Sequence, residues 1–262
     1  MTSPDLPAEL RAALNTRLEG RSRSDAAGRA AVISQTYREG GGSGTIRTET
    51  DALAYALARM PATYAAVVAS LNALTEIRPD FAPASLLDVG AGPGTATWAA
   101  AETFTSLKGF TLLDANGALR TLAEGLFHGS IRLHDASYQL GQARALLDKA
   151  APADLVVASY MIGELGEAER AALADALWSK TGDTLLVVEP GTPAGYARII
   201  ALRARLIATG AHVTAPCHMT AAARWWRQTG AISRSACNAH ARTSRSRAPM
   251  PRSRTSASPM SR

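Results

Sequence analysis

Leucines at 6, 10, 14 and 18 recur at a four-residue step, and an alanine-rich run from Ala26 to Tyr37 follows, so residues 6–37 predict helices. The stretch REGGGSGT (38–45) breaks that pattern as a flexible segment. A longer helical stretch covers 48–77, with Pro61 predicting a kink or a junction between two helices. From Ser85 the texture changes. SLLDVG, FTLLDA, a weaker IRLHDAS, ADLVVASY and DTLLVVEPG read as strands, and all but the third are followed by a helical pattern. Apolar strands alternating with amphipathic helices predict βαβ units and a parallel sheet covered on both faces. Ligands bind such sheets at the carboxyl ends of the strands, which is where Asp88, Asp114, Asp135, Ser159 and Glu189 fall.

Charge changes this picture less than its total suggests. The 262 residues carry a formal charge of +6, but nine arginines (224, 227, 234, 242, 245, 247, 252, 254 and 262) follow Cys217 with no acidic residue among them. Without them 19 basic residues face 22 acidic ones, so the basic balance belongs to the tail and says nothing about the body's partners. Two cysteines, Cys217 and Cys237, make no disulfide framework and fit a reducing compartment. The opening MTSPDLPAEL lacks an apolar signal core or a transit-peptide character, and no apolar run approaches ~20 residues. A cytoplasmic protein without a membrane partner is the expectation.

The sharpest chemistry lies in LLDVGAGPGTATWAA (86–100), where Gly90, Gly92 and Gly94 form a G-x-G-x-G turn between strand and helix. Glycine is needed where φ is positive or where a ligand must reach backbone. A dinucleotide fingerprint would place its third glycine at position 95, which is threonine here. The spacing instead resembles the class I S-adenosylmethionine-dependent methyltransferases. That resemblance implies that Asp114, at the end of the second strand, accepts from the two ribose hydroxyls of the cofactor. It also implies that Asp88 helps to hold the methionine end, and that Asp135, taken as following the third strand, meets the adenine amino group. Turn glycines and helix-capping aspartates are the alternative reading.

The segment ASYMIGEL (158–165) faces the place where a methyl group would leave. It carries no N-P-P-Y or D-P-P-Y sequence, and EPG (189–191) carries no cysteine, so neither an amine-methylating motif nor a covalent nucleophile is declared. Transfer by in-line positioning needs neither. Ser159, Tyr160 and Glu164 are the catalytic candidates; a loop with Glu164 in the first turn of a helix is the structural alternative.

Taken together, ALAYALARMPATYAA (52–66), LLDVGAGPGTATWAA, ASYMIGEL, VVEPGTPAGYARI and GAHVTAPC resemble the small-ribosomal-subunit methyltransferase-like family over about residues 6–217. The resemblance implies a seven-stranded methyltransferase fold with a helical N-terminal part (1–80), an S-adenosylmethionine-binding domain (81–217), and association with the small ribosomal subunit or its rRNA, with no DNA partner. It further implies an iron–sulfur cluster on cysteines that begin at Cys217 and continue in C-P-H and W-C-H-F motifs. Only Cys217 matches, so the cluster is not expected to assemble on this chain. Restoring one C after the Cys217 codon permits C-P-H-D from Cys217 to Thr220, D-W-C-H-F across 228–233 and P-F-E-D-E across 252–257. Residues 218–262 then read as a frameshifted, disordered tail, with the loss of the last strands of the sheet and an exposed apolar edge beside the fifth. The rival is a genuine basic arm that binds RNA through phosphates.

Overall fold

The structure is a computed structural model and describes residues 1–20, 23–38, 41–215 and 229–233. Helices α1 (Ala8–Leu18) and α2 (Arg23–Arg38) precede α3 (Glu49–Ile77). An alternating unit follows: β1 (Ser85–Val89), α4 (Thr95–Thr103), β2 (Gly109–Asp114), α5 (Gly117–Phe127), β3 (Ser137–Leu140), α6 (Ala143–Lys149), β4 (Ala153–Ser159), α7 (Glu167–Lys180), β5 (Thr181–Val188) and α8 (Pro193–Ala208). Strands β6 (His212–Ala215) and β7 (Thr229–Ser233) complete a seven-stranded sheet in the order β3-β2-β1-β4-β5-β7-β6. The first five strands are parallel, and β7 is antiparallel to both of its neighbours.

The continuous apolar runs of the central strands follow from burial on both faces. Alternate side chains leave a strand in opposite directions. Leu86, Leu112, Leu155, Val157, Leu186 and Val188 therefore join one core with Trp98 of α4, Leu122 of α5 and Leu71 of α3. Leu87, Leu113, Val156, Ala158, Leu185 and Val187 join a second core with Leu147 of α6, Leu177 of α7 and Leu206 of α8. Leu10 and Leu14 of α1 belong to the first core, so the N-terminal helices pack directly on the sheet's helical cover.

Helix α3 starts at a reciprocal cap, with the Thr48 hydroxyl accepting from the Asp51 N–H at 3.2 Å and the Asp51 carboxylate from the Thr48 N–H at 3.0 Å. It runs on through Pro61 as one element rather than breaking into two. Pro61 is exposed, so its ring lies on the solvent side and displaces no core packing. By length and composition α3 could cross a bilayer, yet Leu53, Met60, Val67, Leu71 and Leu74 are buried, and it packs against α4, α5 and the β5–β6–β7 side of the sheet.

Two expectations are corrected. The third strand is not IRLHDAS: residues 131–135 form turns, Ile131 is 88% exposed, and β3 is Ser137–Leu140. Nor are the last strands lost. Thr229–Ser233 pairs with β5 from Thr184↔Ser233 to Val188↔Thr229, and with β6 on its other side. The segment TGAIS contains no apolar run, but a strand bonded along both edges is held by its backbone ladder, for which small residues suffice. The apolar edge expected beside β5 is therefore covered. Cys217 and Cys237 lie outside the described residues, as does the rest of the tail beyond β7.

Candidate functional site

Gly90, Gly92 and Gly94 all have positive φ (69°, 54° and 78°), as the glycine spacing between β1 and α4 requires. A Cβ on Gly90 would stand 2.7 Å from the Met161 Cβ, so the loop can pass the β4 segment only without a side chain there. The loop is fastened on several sides. The N–H groups of Gly90 and Ala91 donate to the Leu113 carbonyl at 2.8 and 3.2 Å. The Asp114 Oδ2 accepts from the Gly92 N–H at 2.8 Å, and the Tyr138 hydroxyl of β3 donates to the Gly92 carbonyl at 2.8 Å. The other Asp114 oxygen accepts from the Asn116 N–H at 2.7 Å. Burial raises the Asp114 carboxyl pKa against the opposing pull of these backbone donors.

Gly90, Gly92 and Asp114 line a cavity of about 160 Å³ together with Ser159, Tyr160 and Glu164. The carboxyl ends of β1, β2 and β4 thus bring most of the sequence-derived candidates to one place. Gly94 is not on the wall; it caps α4, and its neighbours Pro93 and Thr95 face the cavity instead. Asp88 does not line the cavity either. It is fully buried, with Oδ2 accepting from the Thr97 hydroxyl at 2.7 Å and Oδ1 without a hydrogen-bond partner.

Asp135 is the clear misplacement. It precedes β3 instead of following it, at the amino end of the sheet, and its side chain is 90% exposed beside His134. Leu140 pairs with Asp114, and the Gly141 N–H donates to the Asp114 carbonyl at 2.8 Å, so the carboxyl end of β3 is continued by Gln142. Gln142 lines the cavity and takes the position that Asp135 was expected to fill. The correct strand register would have revealed it. Asn116 was also missed, although an Asn before GALRTLAEGLF is a standard helix start; its side chain accepts from the Ala118 and Leu119 N–H groups at 3.0 Å.

A second cavity of about 700 Å³ adjoins the first, and Tyr55, Arg59, Thr63, Tyr160 and Glu164 line both. Tyr160 has φ 57°, an unusual backbone state for a bulky residue and one that recurs at functional sites. Its N–H donates to the Val188 carbonyl at 2.8 Å. Burial, reinforced by Glu189, raises its phenol pKa, so it keeps its proton at neutral pH and is no base. Glu189 is fully buried, and it accepts from Arg198 Nε at 2.7 Å and from the Ile162 N–H at 3.2 Å. That carboxylate is committed to holding the 3₁₀ turn Ile162–Glu164 against α8. Among the described residues no group of His, Cys, Asp and Glu is placed to hold a metal ion.

Asp88 carries a pH signature. Burial pushes its pKa up to about 7, the Thr97 hydrogen bonds oppose the shift, and Asp114 adds to it. The folded state therefore keeps a proton that the unfolded carboxyl releases near pH 4. Stability contributed by this group is present at about pH 4 and falls as pH rises toward 7. Asp88→Asn is expected to flatten the fall and to raise the melting temperature at pH 8. Parallel melting profiles for the two proteins between pH 4 and 8 would refute this.

Sequence and fold comparisons agree with this geometry. Residues 49–258 match the model of the family described as mitochondrial small ribosomal subunit Rsm22, a span that continues past Cys217. The human mitochondrial ribosome assembly protein METTL17 is 32% identical over 160 residues, covering 60% of this chain and 35% of that protein. The chain thus spans about a third of the length of that curated relative. Among solved structures, an O-methyltransferase family protein from Burkholderia thailandensis superposes with a TM-score of 0.53 at 14% identity, over 70% of this chain and 59% of that one. Human N-acetylserotonin methyltransferase, solved with S-adenosylmethionine, gives 0.50 at 14% identity, over 84% and 69%. These likenesses establish a Rossmann-like methyltransferase fold, and the family match over most of the sequence settles descent: the chain belongs to the mitochondrial small ribosomal subunit Rsm22 family.

Proposed function

We propose that this chain binds S-adenosylmethionine and acts in the assembly of the small ribosomal subunit, on or beside its rRNA. The observation that carries the cofactor reading is the glycine loop pinned directly to the Asp114 carboxylate, with both on the wall of the first cavity. The residues fit such a group. Gly90 and Gly92 bring backbone without side chains to the cavity wall, and Asp114 beside them offers acceptor oxygens for vicinal hydroxyls. When bound, the cofactor supplies an electrophilic methyl group; the chain's part is to bind it, orient it and keep water from it. Ser159 and Tyr160 line the donor cavity, and the Tyr160 phenol keeps its proton, which favours positioning over proton abstraction as its role.

The ribosomal part rests on the family and on the METTL17 likeness. Calorimetric titration with S-adenosylmethionine is expected to show one site, and the protein is expected to co-sediment with small subunits. No heat of binding would sink the cofactor reading, and no co-sedimentation the ribosomal one. The 700 Å³ cavity favours a second reading, methyl transfer to a small-molecule or nucleotide acceptor held there, since its size suits such a ligand. Transfer of label from methyl-labelled S-adenosylmethionine to small-subunit rRNA or to a metabolite extract separates the two.

For the tail we propose a frameshifted origin, supported by the C-P-H and W-C-H-F motifs that codon degeneracy permits in the neighbouring frame, with the iron–sulfur cluster missing from this chain as a consequence. Strand β7 and the family match through residue 258 weigh for the frame as written. Sequencing the coding DNA decides. A cytoplasmic location is part of the same proposal.

A further inference from the structure

At about 160 Å³ the first cavity alone falls below the ~300–1,000 Å³ usual for small-molecule sites, so S-adenosylmethionine either extends into the adjoining 700 Å³ cavity or displaces part of the wall. Most walls are fixed. The glycine loop is bonded to Leu113, Asp114 and Tyr138, Ser159 and Tyr160 continue a central strand, and Met60 of α3 is in the core. A less regular part of the wall is the segment Gly41–Ile46, which contributes Ser43 to the cavity. It contains Gly41, Gly42 and Gly44, forms only a short 3₁₀ turn (Ser43–Thr45), and is anchored at its two ends, by the Gly41 N–H donating to the Thr36 carbonyl at 2.9 Å and by the buried Ile46.

Two side chains clasp this segment from opposite sides. The Asn116 Nδ2 donates to the carbonyls of Ser43 and Ile46, both at 2.9 Å. Glu164 Oε2 accepts from the Ser43 N–H at 3.4 Å, and a Cβ on Gly42 would stand 2.5 Å from that same oxygen. Asn116 is also bonded through its own N–H to Asp114, so the clasp and the expected ribose acceptor share one turn.

We propose that Gly41–Ile46 is a cofactor gate latched by Asn116 and Glu164, and that its opening sets the rate at which S-adenosylmethionine enters and leaves. This rests on the cofactor reading above. It makes Glu164 a latch rather than a catalytic group, and it ties α2 and α3, which the gate connects, to cofactor occupancy.

The test is the rate of S-adenosylmethionine association and dissociation, read by rapid filtration of labelled cofactor, together with hydrogen exchange of the Gly41–Ile46 amides. Asn116→Ser keeps the helix cap but removes the donor to the gate; Glu164→Ala removes the other side. Each is expected to speed dissociation and association about tenfold, with a much smaller change in Kd, and cofactor is expected to slow exchange in the wild-type gate. Unchanged rates in both variants, with gate amides exchanging faster, would overturn the gate and leave cofactor binding intact. If Asn116→Ser fails to fold, Glu164→Ala alone decides. A wild-type protein that takes up no cofactor would overturn the cofactor reading itself, and the gate with it.

Discussion

Asp114→Ala is expected to weaken S-adenosylmethionine binding at least a hundredfold and to lower the melting temperature of the free protein as well. The two effects share a cause. Each carboxylate oxygen already accepts a backbone N–H, from Gly92 at 2.8 Å and Asn116 at 2.7 Å. Truncation leaves both donors in a half-buried site without a partner, at about 1–3 kcal/mol each. It also removes the acceptors for the ribose hydroxyls, and hydrogen bonds to a charged group are worth about 1.5–3 kcal/mol. Asp114→Asn keeps one acceptor oxygen, so it should fall between alanine and wild type on both measures. Calorimetric titration and thermal melting check this. An alanine variant that binds within threefold of wild type, at a concentration where it is folded, would remove Asp114 from the site.

Gly94→Ala is expected to be far more damaging than Gly92→Ala in the same loop. Its φ of 78° costs a non-glycine residue about 1–2 kcal/mol. The added Cβ would also lie 2.4 Å from Phe127 Cζ and 3.0 Å from Cε1, on a ring that is 3% exposed and packed 5.9 Å from Trp98. Overpacking of this kind costs about 1–3 kcal/mol. The sum, about 2–5 kcal/mol, corresponds to a fall in melting temperature of about 4–20 °C for a chain of this size. Gly92→Ala is the internal control. It shares the positive φ, but its nearest neighbour would be Leu119 at 3.9 Å, so only the backbone cost remains. Gly94→Ala with Phe127→Leu should recover part of the loss. Equal melting temperatures for the Gly92 and Gly94 variants would show that the Phe127 contact does not matter.

What the sequence revealed and what it hid divide along burial. Strands β1, β2, β4 and β5 lie in the interior of the sheet, must be apolar on both faces, and announce themselves as runs such as LLVV. Among the described residues strand β3 lies at the edge and pairs only with β2, so one large buried side chain, Tyr138, is enough. IRLHDAS outscored it because Leu133 packs into the core from a turn. Asp135 went astray with that strand, and Gln142 was missed for the same reason. The glycine loop and Asp114 were legible because positive φ and a carboxylate at a strand end are demands that few residue types meet. The clasp of Asn116 and Glu164 on Gly41–Ile46 joins positions 73 and 121 residues apart along the chain, and no local pattern encodes such a meeting.

The position of β7 sets a schedule for synthesis. Strand β6 leaves the ribosome before β7, yet β7 lies between β5 and β6 in the finished sheet. Until residue 233 has emerged, the edge of β5 is open, and β6, which runs in the same direction as β5, competes for it. A nascent chain can therefore settle into a shortened sheet that has to come apart before the last strand slides in, a slow step of the kind that leaves unpaired edges open to aggregation. The strand written last is the one the neighbouring strands must wait for.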